Sequence, residues 1–388
     1  MRTLRLAAAS ALCVGALAGC TTYNPLIILG FETEPPHQPT PLGNIKAEVL
    51  PRAVWIAQVG KAGGFTFRPD AEGGRIYAAS ADGVVSVLEE DTGKVFTKAE
   101  TKKKLSGGVE VGEGKVLVGT MKGEVIALDP TSGKQLWMST INGEVIAPPA
   151  ISKKVVVVRT SDGRIFGLSA EDGKRLWVFQ RPSPSLLLRS AAGVLIIGGD
   201  VLAGYPNGKL VALDVDDGKL TWEVTVSLPR GSTELERIAD VAGLPVVDGG
   251  SVCAAAFQGK VACFDIQTRN LVWSRDLSTA RPLARDARYI YVVDDDGGVH
   301  ALDKSTGASV WKQDKLLYRK VGAPLLVEGR LLVGDSFGFL HVLSTETGAI
   351  VGRLPTDGSA IQSMIVANGG TVLQTAKGSV ALVRFPTR

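Results

Sequence analysis

Apolar runs of strand length alternate along this chain with short polar clusters rich in glycine and aspartate, and the alternation repeats. The stretch EVIALDPTSGKQLW, residues 124–137, shows one unit: a strand pattern, a turn cluster from Pro130 to Gly133, and a short run ending in Trp137. The same phrase follows Gly83, Gly123, Gly163, Gly208, Gly259, Gly297, Gly338 and Gly378. A period of roughly 40 residues built from several strands is the spacing of propeller blades. The pattern predicts an all-β fold, an eight-bladed β-propeller of four-stranded antiparallel blades. In each unit a run such as KVLVGT (115–120) precedes the quoted hairpin, and a segment such as GEVIAPPAI (143–151) supplies the innermost strand. Alternation on the middle strands is muted, as expected where neighbours cover both faces of a sheet.

Trp137, Trp177, Trp222, Trp273 and Trp311 recur four residues after the turn position. Their regularity points to packing between blades rather than to a ligand. The last unit stops at Val383-Arg384-Phe385 without an outer strand, and Ala53-Val54-Trp55-Ile56 is a strand with no hairpin before it. Pairing the two would close the ring and remove both open edges. The copies are imperfect: Arg269 replaces a turn glycine, Ser169 and Ser344 replace the turn aspartate, and Gly352 stands where a tryptophan is expected.

The N-terminus departs from the repeat. Arg2 and Arg5 precede an apolar run from Leu6 to Ala18, too short for a spanning helix and arranged as a signal peptide. Leu17-Ala18-Gly19-Cys20 resembles a bacterial lipobox, which implies cleavage before Cys20 and acylation of that residue. Several acyl chains hold a protein on a bilayer where one is marginal. Thr21 follows instead of Asp, which by the rule of that family implies the outer membrane. From there the chain is proline-rich and aperiodic, a spacer. The expected organisation is a signal peptide at 1–19, a lipidated Cys20 with its tether at 20–48, and the propeller at 49–388.

Charge is nearly balanced, Lys+Arg 43 against Asp+Glu 39, too weak an excess to argue for nucleic acid, and no nucleic-acid partner is expected. With 3 His in the chain, a histidine-based metal site is not expected. His300 and His341 hold equivalent positions in successive units, where packing is the expected role. Asp294-Asp295-Asp296 lacks the spacing of a calcium loop and reads as a turn. The phrase A-x-D-x-x-x-G-K-x-x-W resembles the repeat of pyrroloquinoline-quinone enzymes. That family has adjacent cysteines, a calcium site and an aspartate base, whereas here no two cysteines adjoin. Cys253 and Cys263 face each other across one hairpin, either as a disulfide or as two buried small side chains, depending on register. No cofactor and no enzymatic activity are expected.

Two long breaks flank the fourth unit: RPSPSLLLRS (181–190) and SLPRGSTELERIADVAGLP (227–245). Insertions in a repeat collect on loops and often serve binding. Their residues fit either a docking patch or a leucine run packed into the blade beside solvated charges. Together with the lipobox and the repeats, SLLLRS and GSTELERIADV resemble the BamB family, lipoproteins of the outer-membrane β-barrel assembly machinery. The resemblance implies a non-catalytic scaffold at the periplasmic face of the outer membrane. It implies contact with the POTRA domains of BamA through Leu186, Leu188, Arg189 and Asp240, to assist folding and insertion of outer-membrane proteins. One departure is Ala242, where the family pattern has a second Asp. The strand-rich body also suggests unfolded outer-membrane proteins as clients by strand addition. The alternative is a periplasmic propeller that binds a small ligand or a quinone cofactor.

Overall fold

The computed structural model describes residues 37–386 apart from Ser183 and Ser185. Cys20 and the expected signal peptide lie outside the described residues. The sheets are eight, each of four antiparallel strands. Blades 1 to 7 are continuous in the chain at 70–100, 105–140, 150–179, 195–225, 246–276, 284–313 and 325–355; blade 8 combines 361–384 with the strand Arg52–Gln58. The innermost strand of blade 8 meets that of blade 1, which closes the ring. The N-terminal strand is the outer strand of blade 8, with Trp55 opposite Leu382 and Gln58 opposite Ser379. The expected pairing of the two chain ends is therefore present.

The recurring tryptophans of blades 2, 3, 5 and 6 tie those blades to the ones that follow them, while blade 1, like blade 7, carries none. In blades 1 to 7 the pairing of the third and fourth strands slips by one residue, as between Ala127 and Leu128. The extra residue in blade 2 is Leu136, which is 48% exposed, while Trp137 beside it is 7% exposed. A bulge of this kind re-aims the side chain that follows it, here into the turn of the neighbouring blade. The indole N–H of Trp137 donates to Ala170 O at 3.0 Å, that of Trp177 to Val215 O, of Trp273 to Lys304 O and of Trp311 to Thr345 O. Trp55 does the same across the closing seam, donating to Glu90 O at 2.7 Å.

The turn glycine is required twice over. Gly173 has φ +74°, and a Cβ there would fall 2.6 Å from the Trp137 ring. The decayed copies keep this geometry. Arg269 takes φ 62° in place of glycine, and its N–H still donates to Asp265 O at 2.8 Å. Ser169 and Ser344 still accept the Gly173 and Gly348 N–H groups through their carbonyls.

Blade 7 has no tryptophan, and the chain's own N-terminal segment covers its edge. Glu48 and Val49 N–H donate to Val351 O, and a Cβ on Gly352 would lie 3.0 Å from Val49 O. Part of the expected spacer touches the body as well. Thr40 N–H donates to Leu317 O, Arg319 Nη1 to Thr40 O and Arg353 Nη1 to Gly43 O. Leu42 and Ile45 pack on the core between blades 6 and 7.

In blade 5 the register places Cys253 directly opposite Cys263, and the two form a disulfide. Replacing both with alanine should lower stability by about 2–3 kcal/mol through the short loop they close, read as a shift in urea midpoint. Gly173→Ala should cost about 2–4 kcal/mol, combining left-handed strain with overpacking against Trp137. The same substitution at exposed Gly114, which meets no neighbouring atom, should lose only the strain component.

Candidate functional site

Both insertions join the outer strand of one blade to the inner strand of the next, and so open on the same side of the ring. The first links Arg175–Phe179 to Leu195–Ile197, the second Leu220–Thr225 to Val246–Asp248. They are tied together. Leu188 N–H donates to Asp240 Oδ2 at 2.6 Å, and Ser190 Oγ donates to Ala242 O at 2.6 Å. Asp240 is 5% exposed, lying under the first loop. It also accepts the Asn207 N–H, and its carboxyl is raised above the usual aspartate range by burial, against the pull of those N–H groups and of Arg159.

The expected site residues thus divide in two. Leu186 is 41% exposed and Arg189 is exposed beside it. Leu188 is half-buried and Asp240 and Ala242 are buried, so these three hold the loop from below. The cleft between them, lined by Arg159, Thr160, Tyr205 and Asp240, has room for about one water. Arg189 gains a partner that sequence gave no means to find. Its Nη2 donates to Glu144 Oε2 at 3.0 Å, on the connection between blades 2 and 3, and lies 3.3 Å from Met121 Sδ. Glu144 is itself held by the Ser161 hydroxyl.

The remaining chemical candidates are absorbed by the blades. Asp294 accepts the Gly298 N–H and pairs with His300 at 2.8 Å, so the aspartate run forms the turn expected of it. Asp335 lies between His341 at 3.2 Å and Arg319 Nε at 2.7 Å. The two histidines therefore pair each with its own hairpin's aspartate. On the innermost strand of blade 2, burial pushes Glu110 up to about 7, with Asp70 adding to the effect. Among the described residues, no group of three or more His, Cys, Asp or Glu side chains is placed to hold a metal ion.

The family model described as "Outer membrane protein assembly factor BamB" matches residues 55–313. The BamB of Escherichia coli (strain K12) is 35% identical over 390 aligned residues, covering 97% of this chain and 98% of its own. The chain belongs to the BamB family. The crystal structure of BamB from Moraxella catarrhalis superposes with a TM-score of 0.81 at 28% identity, covering 87% of this chain and all of that one. The quinohemoprotein alcohol dehydrogenase of Comamonas testosteroni matches with a TM-score of 0.70 at 14% identity, over 86% of this chain and 76% of its own, a likeness of fold alone. The relatives in Nitrosomonas eutropha and Escherichia coli are both named outer membrane protein assembly factors.

The burial of Asp240 gives a signed expectation. Its folded pKa is raised, so the ionised carboxylate opposes folding at neutral pH, and that cost fades as pH falls below the ordinary aspartate range. Asp240→Asn keeps an acceptor for Leu188 and should match or exceed wild-type stability at neutral pH, converging with it near about pH 3. Asp240→Ala strands the Leu188 N–H and should lose about 1–3 kcal/mol. Urea denaturation at both pH values checks the pair.

Proposed function

We propose that the chain is a non-catalytic scaffold lipoprotein of the outer-membrane β-barrel assembly complex, anchored through Cys20 on the periplasmic face. It binds the POTRA domains of BamA while that protein folds and inserts its clients. The carrying observation is the braced loop that turns Leu186 and Arg189 outward, on a chain of the BamB family. Leu186 supplies apolar area to the contact, and Arg189, pre-oriented by Glu144, supplies direction by charge pairing. Leu188 and Asp240 act by holding the loop in one conformation, which lowers the ordering cost of binding.

The second reading, a propeller with a quinone or another small ligand, draws on the likeness of fold to a quinohemoprotein dehydrogenase. Against it, the two cysteines of the body join opposite strands of one hairpin rather than adjacent positions.

The test is co-purification of BamA with the membrane-anchored chain. Leu186→Ala/Arg189→Ala should weaken capture at least about tenfold, or about 1.4 kcal/mol, with an unchanged thermal midpoint because both side chains are exposed. Undiminished capture would sink the assignment of the loop. Failure of the wild-type chain to hold BamA would sink the scaffold reading and favour a spectral titration with quinone and calcium. Cys20→Ala should move the protein from the membrane fraction to the soluble periplasm.

A further inference from the structure

The second insertion carries a feature that the reading above does not use. Between buried Ser227 and buried Ala239 the chain leaves the body as a knuckle that is nearly all exposed. The knuckle is ordered by its own bonds. Glu236 Oε2 accepts the N–H groups of Ser232 at 2.8 Å and Thr233 at 3.1 Å, and Thr233 Oγ1 accepts the Glu236 N–H at 3.2 Å. This is the reciprocal arrangement of a capping box. Gly231, at φ +123°, lets the chain close over it, since a Cβ there would meet Glu236 Cβ at 2.3 Å.

A loop braced in this way could fold its apolar side chains beneath itself. It does the reverse: Leu228 is 67% exposed and Leu235 is 65% exposed. Arg230 and Arg237 stand beside them, exposed, and neither makes an ion pair among the described residues. Glu236 spends its charge on its own turn. The knuckle is continuous with the first loop, because Asp240 at its foot is the residue that accepts the Leu188 N–H.

We infer that the 228–237 knuckle is a second docking element, which fits an apolar depression rimmed by carboxylates on the same partner protein that receives Leu186 and Arg189. Outward leucines on a pre-ordered loop avoid most of the ordering cost of association. Unpaired arginines at the rim set orientation and the salt dependence of capture. The inference rests on the proposal that the first loop binds BamA.

The experiment measures binding of the full-length chain in detergent to the purified periplasmic region of BamA across a salt series. Leu228→Ser/Leu235→Ser should raise Kd about tenfold, the scale of an interface anchor. Arg230→Glu/Arg237→Glu should weaken binding most at low salt and flatten the salt dependence. All four side chains are exposed, so the urea midpoint should match wild type in both variants. Wild-type affinity in both variants, with loss in Leu186→Ala/Arg189→Ala, overturns the knuckle and leaves the first loop standing. No binding by the wild-type chain removes both readings together. If the variants instead lose flotation with phosphatidylglycerol/phosphatidylethanolamine vesicles while keeping BamA, the knuckle is a membrane contact and the inference is overturned.

Discussion

An indole N–H bonded to a carbonyl in the next blade's turn is the contact on which the ring depends. A single blade is a small twisted sheet that cannot bury both of its faces, so its stability comes from its neighbours. The bulge ahead of each tryptophan turns the ring out of its own sheet, and the glycine at positive φ leaves a flat seat for it. Bulge, tryptophan and glycine form one device, and for that reason they recur together in the sequence. Where one part is missing, as the tryptophan is in blades 1 and 7, the ring still closes. Trp55 serves the closing seam, and Val49 and Pro51 cover the edge of blade 7.

This explains why the fold was legible and much of the site was not. The period, the number of blades, the closure by the N-terminal strand and the inter-blade role of the tryptophans follow from features repeated along the chain. Sequence also marked Gly352 as a departure, but nothing local indicates that residues 48–51 would cover it. That contact joins positions about three hundred residues apart in a chain whose repeats speak only to their neighbours. The pairing of Cys253 with Cys263 hung on a register that one residue of slip would have reversed.

The loops follow a different logic. They were found because they break the period, but residue type did not reveal which side chains face out. Asp240 looked like a surface charge and is instead buried under Leu188, with its carboxylate used by backbone N–H groups. Arg189, expected only to meet a partner protein, is also seated by Glu144 from another blade connection. The propeller contributes rigidity: adjacent blades set the spacing of the loop feet, and the feet share hydrogen bonds at 240 and 242. A surface assembled in this way holds its shape without a large core of its own.

The covering of blade 7 has a mechanical consequence. The segment upstream of the closing strand is gripped at Thr40 by Arg319 and Leu317, at Gly43 by Arg353, and at Glu48 and Val49 by Val351. Tension arriving from the N-terminal side is therefore shared among several bonds on blades 6 and 7 before it reaches Arg52. The strand that closes the ring is the last element such a pull would load, so these bonds act as strain relief for the closure.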